Sequence, residues 1–205
     1  MPLAANVTWY SARAGGITAF ALLTLGTLLG LALSGRARVD GWPRFAVEDV
    51  RRHLGLLTGT FIGLHGLALL VDRSLPFSLA QLVIPGTSSY RPLATALGVV
   101  AAELLTALAF TNRLKPRVSY RFWRRAHNLT FAAWVLALGH GITVGTDTRS
   151  LWALRTYVVA CAAVTALVVW RALRASADAS SLRLWPAAAA VLGAEAVLVV
   201  AFAVH

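Results

Sequence analysis

Residues 14–35 of this 205-residue chain carry no charged side chain, and that run of 22 restricts the fold more than any other feature. An apolar stretch of 18 or more residues reads as a membrane-spanning helix. Six such segments can be drawn, at about 14–34, 50–71, 92–112, 125–145, 151–173 and 184–204. At about 1.5 Å per residue each covers the ~30 Å hydrocarbon core of a bilayer. The expectation is an all-α polytopic membrane protein, a six-helix bundle forming a single domain over 1–205. Composition agrees: 58% of residues are hydrophobic and 13% charged, where a soluble domain carries roughly 25% charge. The first segment resembles a secretory signal in having Arg13 ahead of an apolar run, but its 22 uncharged residues exceed the usual 7–15 of a signal.

A net charge of +11 suggests nucleic acid in a soluble protein. Here the basic residues concentrate in particular loops, which is the pattern of membrane topology. Fourteen lie on one side: Arg36, Arg38, Arg44, Arg51 and Arg52; Arg113, Lys115, Arg117, Arg121, Arg124 and Arg125; Arg171, Arg174 and Arg183. Five lie on the other: Arg13, Arg73, Arg91, Arg149 and Arg155. Arginine and lysine are retained on the cytoplasmic side, so both termini are expected outside. The longest outer connection, 72–92, has apolar residues broken by prolines and a Gly-Thr-Ser-Ser turn. Its irregular backbone cannot cross lipid, and it reads as an interfacial lid over the outer end. Cys161 is the only cysteine, which rules out an intramolecular disulfide or a CxxC pair.

Four of the five histidines fall in two related stretches, RRHLGLLTGTFIGLHG from Arg51 and RRAHNLTFAAWVLALGHG from Arg124. Both segments run outward from the cytoplasmic side. His53 and His127 then lie near the cytoplasmic face, and His65 and His140 about 18–20 Å farther out. Ionisable residues inside a membrane are costly and are functional candidates by default. One imidazole from each of two facing helices supplies the two axial nitrogens of a b-type heme, and Gly66 and Gly141 leave room beside the outer pair. The competing reading is that these histidines pack or hydrogen-bond; their pairing by depth favours heme. Zinc is disfavoured because no carboxylate or thiolate accompanies either level.

Arg51, Arg52, Arg124 and Arg125 are candidates for heme propionates or for lipid headgroups. Glu103 and Glu195 lie mid-segment and are expected to stay protonated, serving either hydrogen bonds between helices or proton or quinone chemistry. Trp123, Trp134, Trp152, Trp170 and Trp185 sit mostly near segment ends, as interfacial tryptophans do. His205 is assigned no role.

The stretches HLGLLTGTFIGLHGLALLVD, SSYRPLATALGVV and YRFWRRAHNLTFAAWVLALGHGITVGTDT resemble the ferric reductase-like transmembrane domain. That family includes the membrane cores of ferric reductases and NADPH oxidases and the heme-binding membrane subunit of the bacterial periplasmic methionine sulfoxide reductase system. The resemblance covers roughly 50–148 and implies two hemes between histidine pairs on two helices. Carried over, His65 and His140 match the outer pair and His127 the inner ligand of the fourth segment. Aligning LGLL puts Arg51 where the family has its remaining histidine, fourteen residues before His65, while His53 lies two residues later. Two residues turn a helix by about 200°. Either His53 coordinates through local rewinding or His127 serves another role, so one or two hemes remain open, and Arg51, which stays protonated, suits a propionate better than iron.

The resemblance implies a heme b electron-transfer protein of a bacterial-type plasma (inner) membrane. No GxGxxG is present, so electrons are expected from a separate flavoprotein reductase using a flavin and nicotinamide, or from quinol, and pass to an outer-side acceptor protein or metal. The alternative is a non-redox heme-handling or structural membrane protein.

Overall fold

A computed structural model describes residues 3–34, 43–147, 150–175, 188–189 and 191–195. Among these residues all regular structure is helical. Helix α1 spans Leu3–Ser34, α2 Arg44–Val71, α3 Leu79–Val83, α4 Pro92–Arg113, α5 Tyr120–His127, α6 Leu129–Val144 and α7 Leu151–Ala175, with a 3₁₀ turn at Lys115–Arg117. Four stretches among the described residues are long and apolar enough to cross a membrane: Val7–Leu33, Phe45–Val71, Pro92–Arg113 and Leu151–Leu173. Of the segment expected at 184–204 only residues 188–189 and 191–195 are described, all of them helical; the rest lies outside the described residues.

Local chemistry explains the boundaries. Pro92 occupies the first turn of α4, where its missing N–H costs nothing. Ser119 caps α5 by accepting from the Phe122 N–H. The connection from α2 to α4 is held by a capping box at α3, with Ser78 and Gln81 bonding each other's backbone N–H, and it turns at Gly86, whose φ is +83°.

The segment expected to run unbroken through 125–145 is instead two helices. They meet at Asn128, whose N–H is shared between the carbonyls of Arg124 and Arg125. Helix α6 has 16 residues and is apolar on all sides, as a central helix should be. Ala133, Trp134 and Leu138 on it are fully buried. Trp134 is therefore a core residue, unlike the interfacial role its type suggests. Its indole N–H donates to Thr24 Oγ1 at 2.9 Å and its ring stacks on Phe20, so the one polar atom is satisfied inside the core. Phe20 also packs on Tyr157 of α7, and Val191 and Ala194 complete the cluster.

Two helix pairs frame the site. Helices α1 and α2 pack antiparallel, with Gly15 against His65 at one end and Gly30 against Arg51 at the other. Helices α4 and α6 do the same, with Gly98 against His140 and with Trp123 of α5 reaching Asn112. Helix α2 runs in the same direction as α5 and α6, with His65 level with His140 and Arg51 level with His127.

Candidate functional site

His65 on α2 and His140 on α6 face each other with ring centres 6.3 Å apart and ring planes 80° apart. Each is held through Nδ1 by a backbone carbonyl on a different helix. His65 Nδ1 donates to Ala12 O of α1 at 2.6 Å, and His140 Nδ1 to Ala94 O of α4 at 2.9 Å. A carbonyl can only accept, so Nδ1 carries the proton in both rings and each Nε2 is left with its lone pair. This is the orientation that a carbonyl partner imposes on metal-binding histidines.

Each ring also needs a glycine. A β-carbon on Gly16 would lie 3.2 Å from His65 Nδ1, and one on Gly98 would lie 2.6–2.7 Å from three atoms of the His140 ring. Both glycines sit four residues after the accepting carbonyl, so a helix turn without a side chain admits the imidazole to the carbonyl beneath it. The two halves of the site are built alike: Ala12 and Gly16 hold His65, Ala94 and Gly98 hold His140.

The space around the pair is a cavity of about 250 Å³ with mainly apolar walls, including Ile62, Leu69, Leu105 and Ala137. The connection carrying α3 closes one end with Leu75, Phe77 and Leu82, in keeping with its reading as a lid. At that end Arg13 of α1 forms an ion pair with Asp147, and both line the cavity. Gly66 and Gly141 also line it. The space beside Gly141 is taken by Tyr157, whose hydroxyl lies 2.6 Å from where a β-carbon would be.

The other expected ligands do not assemble in the same way. His127 Nε2 accepts a hydrogen bond from the Arg51 guanidinium. His53 is exposed on α2, with Nδ1 bonded to Asp49 O of its own helix at 2.8 Å, and makes no pair with His127. Arg52, Arg124 and Arg125 are exposed and none lines the His65–His140 cavity; the basic residue that does is Arg13. Glu103 and Glu195 are exposed as well and lie off the cavity wall.

Ala12, Arg13, Gly16, Ala94, Gly98 and Tyr157 were not legible as site residues. The one available signal was the pair of four-residue spacings, Ala12 to Gly16 and Ala94 to Gly98, and small residues at that spacing are common in membrane helices.

The structure defines a class first: a helical membrane protein whose interior holds a carbonyl-anchored histidine pair in an apolar cavity. The family model described as "Ferric reductase like transmembrane component" matches residues 15–138, more than half of the chain, and the protein belongs to that family. Comparison with curated proteins and with solved structures gave no match. Membership points to electron transfer in the membrane as the functional class.

Proposed function

We propose that the chain is a heme b-binding electron-transfer protein, with His65 and His140 as the two axial ligands. The observation that carries this is the pair of imidazoles with both Nδ1 atoms committed to carbonyls. The spacing agrees: ring centres 6.3 Å apart would leave room for one metal ion between the two imidazoles. The donor set agrees too. Among the described residues no group of three or more His, Cys, Asp or Glu converges, so the two imidazoles would suit an iron that arrives with other donors of its own, as in a heme.

A b-type heme bound there supplies a one-electron iron couple. The chain's part is ligation, orientation and dielectric. Ala12 and Ala94 fix both imidazoles and raise their basicity through the Nδ1 protons. Apolar walls exclude water from the level of the histidines. Arg13, at the lid end and paired with Asp147, is the cation on the cavity wall that a carboxylate there would meet. The donor is proposed to be a flavoprotein reductase or quinol, and the acceptor a protein or metal at the lid end, where the cavity reaches Arg13 and Asp147.

The test is the visible spectrum of the chain purified in detergent from cells supplied with heme. A reducible, low-spin, six-coordinate b-type spectrum is expected. A colourless protein, or a high-spin five-coordinate heme, sinks the proposal.

A further inference from the structure

Fourteen residues before His65, at about 40° from the same face of α2, the chain carries Arg51 rather than a histidine. Helix α1 treats the two side chains alike. It offers Gly16 to His65 and, fourteen residues on, Gly30 to Arg51, where a β-carbon would lie 3.3 Å from Nη2 and 3.5 Å from Cζ and Nε. The guanidinium thus occupies, one level down, the kind of cradle that holds an imidazole above.

From that cradle Arg51 Nη2 donates to His127 Nε2. The lone pair that would bind iron is consumed by a hydrogen bond from a group that stays protonated and cannot itself ligate. His53, displaced by two residues, is exposed and bonded to its own helix. His127 also lacks the anchor that both upper histidines have: its Nδ1 is buried with no hydrogen-bond partner, and the Trp123 ring stacks on it at 5.1 Å with planes 10° apart. A ligand histidine is oriented by its second nitrogen; His127 is oriented by stacking and by Arg51.

We infer that this level is not a heme site: Arg51 closes it by bonding His127, and the chain carries one heme, at His65 and His140. This rests on the heme reading proposed above. The Arg51–His127 bond is then a polar bolt between α2 and α5, in the place where the family resemblance implies a second iron.

Heme per chain, from pyridine hemochrome against protein concentration, and a potentiometric titration test it on the full-length protein. The expected result is one heme and one redox step in the wild type, both retained by His127→Ala and lost by His65→Ala. Arg51→His frees His127 and supplies the missing imidazole, and it should raise the count towards two and add a second step. Two hemes in the wild type would overturn the inference while leaving the heme-binding proposal intact. So would loss of the heme in His127→Ala but not in His65→Ala, or an Arg51→His variant that folds and stays at one. A wild type with no heme at all overturns both.

Discussion

At Gly98 a single methyl group decides whether His140 can keep its place. A β-carbon there would fall 2.6–2.7 Å from Nδ1, Cε1 and Cγ of the ring, whereas one on Gly16 would meet His65 at 3.2–3.3 Å. The first clash can be relieved only by moving the imidazole or separating α4 from α6; the second needs a shift of a few tenths of an ångström. Gly98→Ala should therefore lose most of the bound heme, and Gly16→Ala only a minor part, with helix content by circular dichroism unchanged in both. Equal losses would mean that the cradles do not position the ligands. The ring planes provide a second check. Imidazoles set 80° apart about one low-spin ferric ion give a strongly anisotropic electron paramagnetic resonance signal with one large g value, and near-parallel planes give a compact rhombic one. The anisotropic form is expected, and a rhombic spectrum would show that the pair rotates when iron is bound.

The helices were legible where hydrophobic length alone decides. The uncharged run from residue 14 and the apolar stretches around 50–71, 92–112 and 151–173 correspond to α1, α2, α4 and α7, because a helix of about 20 apolar residues has no other stable setting. The break between α5 and α6 was not legible. Asn128 keeps a helical conformation, φ −65° and ψ −21°, and neither proline nor glycine marks it. That break lies between His127 and His140, where thirteen residues of an unbroken helix would leave the two about 140° apart. The role of Trp134 was hidden for a related reason: its partner, Thr24, lies 110 positions away in the sequence. Thr24→Val keeps the volume and strands the indole N–H, so it should lower stability to chemical denaturation in detergent by about 1 kcal/mol. Thr27→Val, whose hydroxyl bonds Leu23 O of its own helix, should cost less; if the two cost the same, the indole bond contributes nothing particular.

For the whole molecule, the histidines could be read from sequence because an ionisable group in hydrocarbon demands an explanation. Their cradles could not, because the register of α1 on α2 and of α4 on α6 is a property of packed pairs, and the Ala-to-Gly spacing it leaves in each segment is common to membrane helices. Placement across the membrane rests on the fourteen basic residues set against five. A reporter fused after Lys115 should read cytoplasmic and one fused after Arg149 external; the reverse at both sites would turn the bundle over and put the lid end on the cytoplasmic side. The central claim is that His65 and His140 hold one heme jointly, and the most direct measurement is the reduced-minus-oxidised spectrum of His65→Ala and His140→Ala beside the wild type. Each variant should lose the low-spin b-type signal, since water is a poor substitute for imidazole in an apolar cavity. A full low-spin signal retained by both would contradict the account.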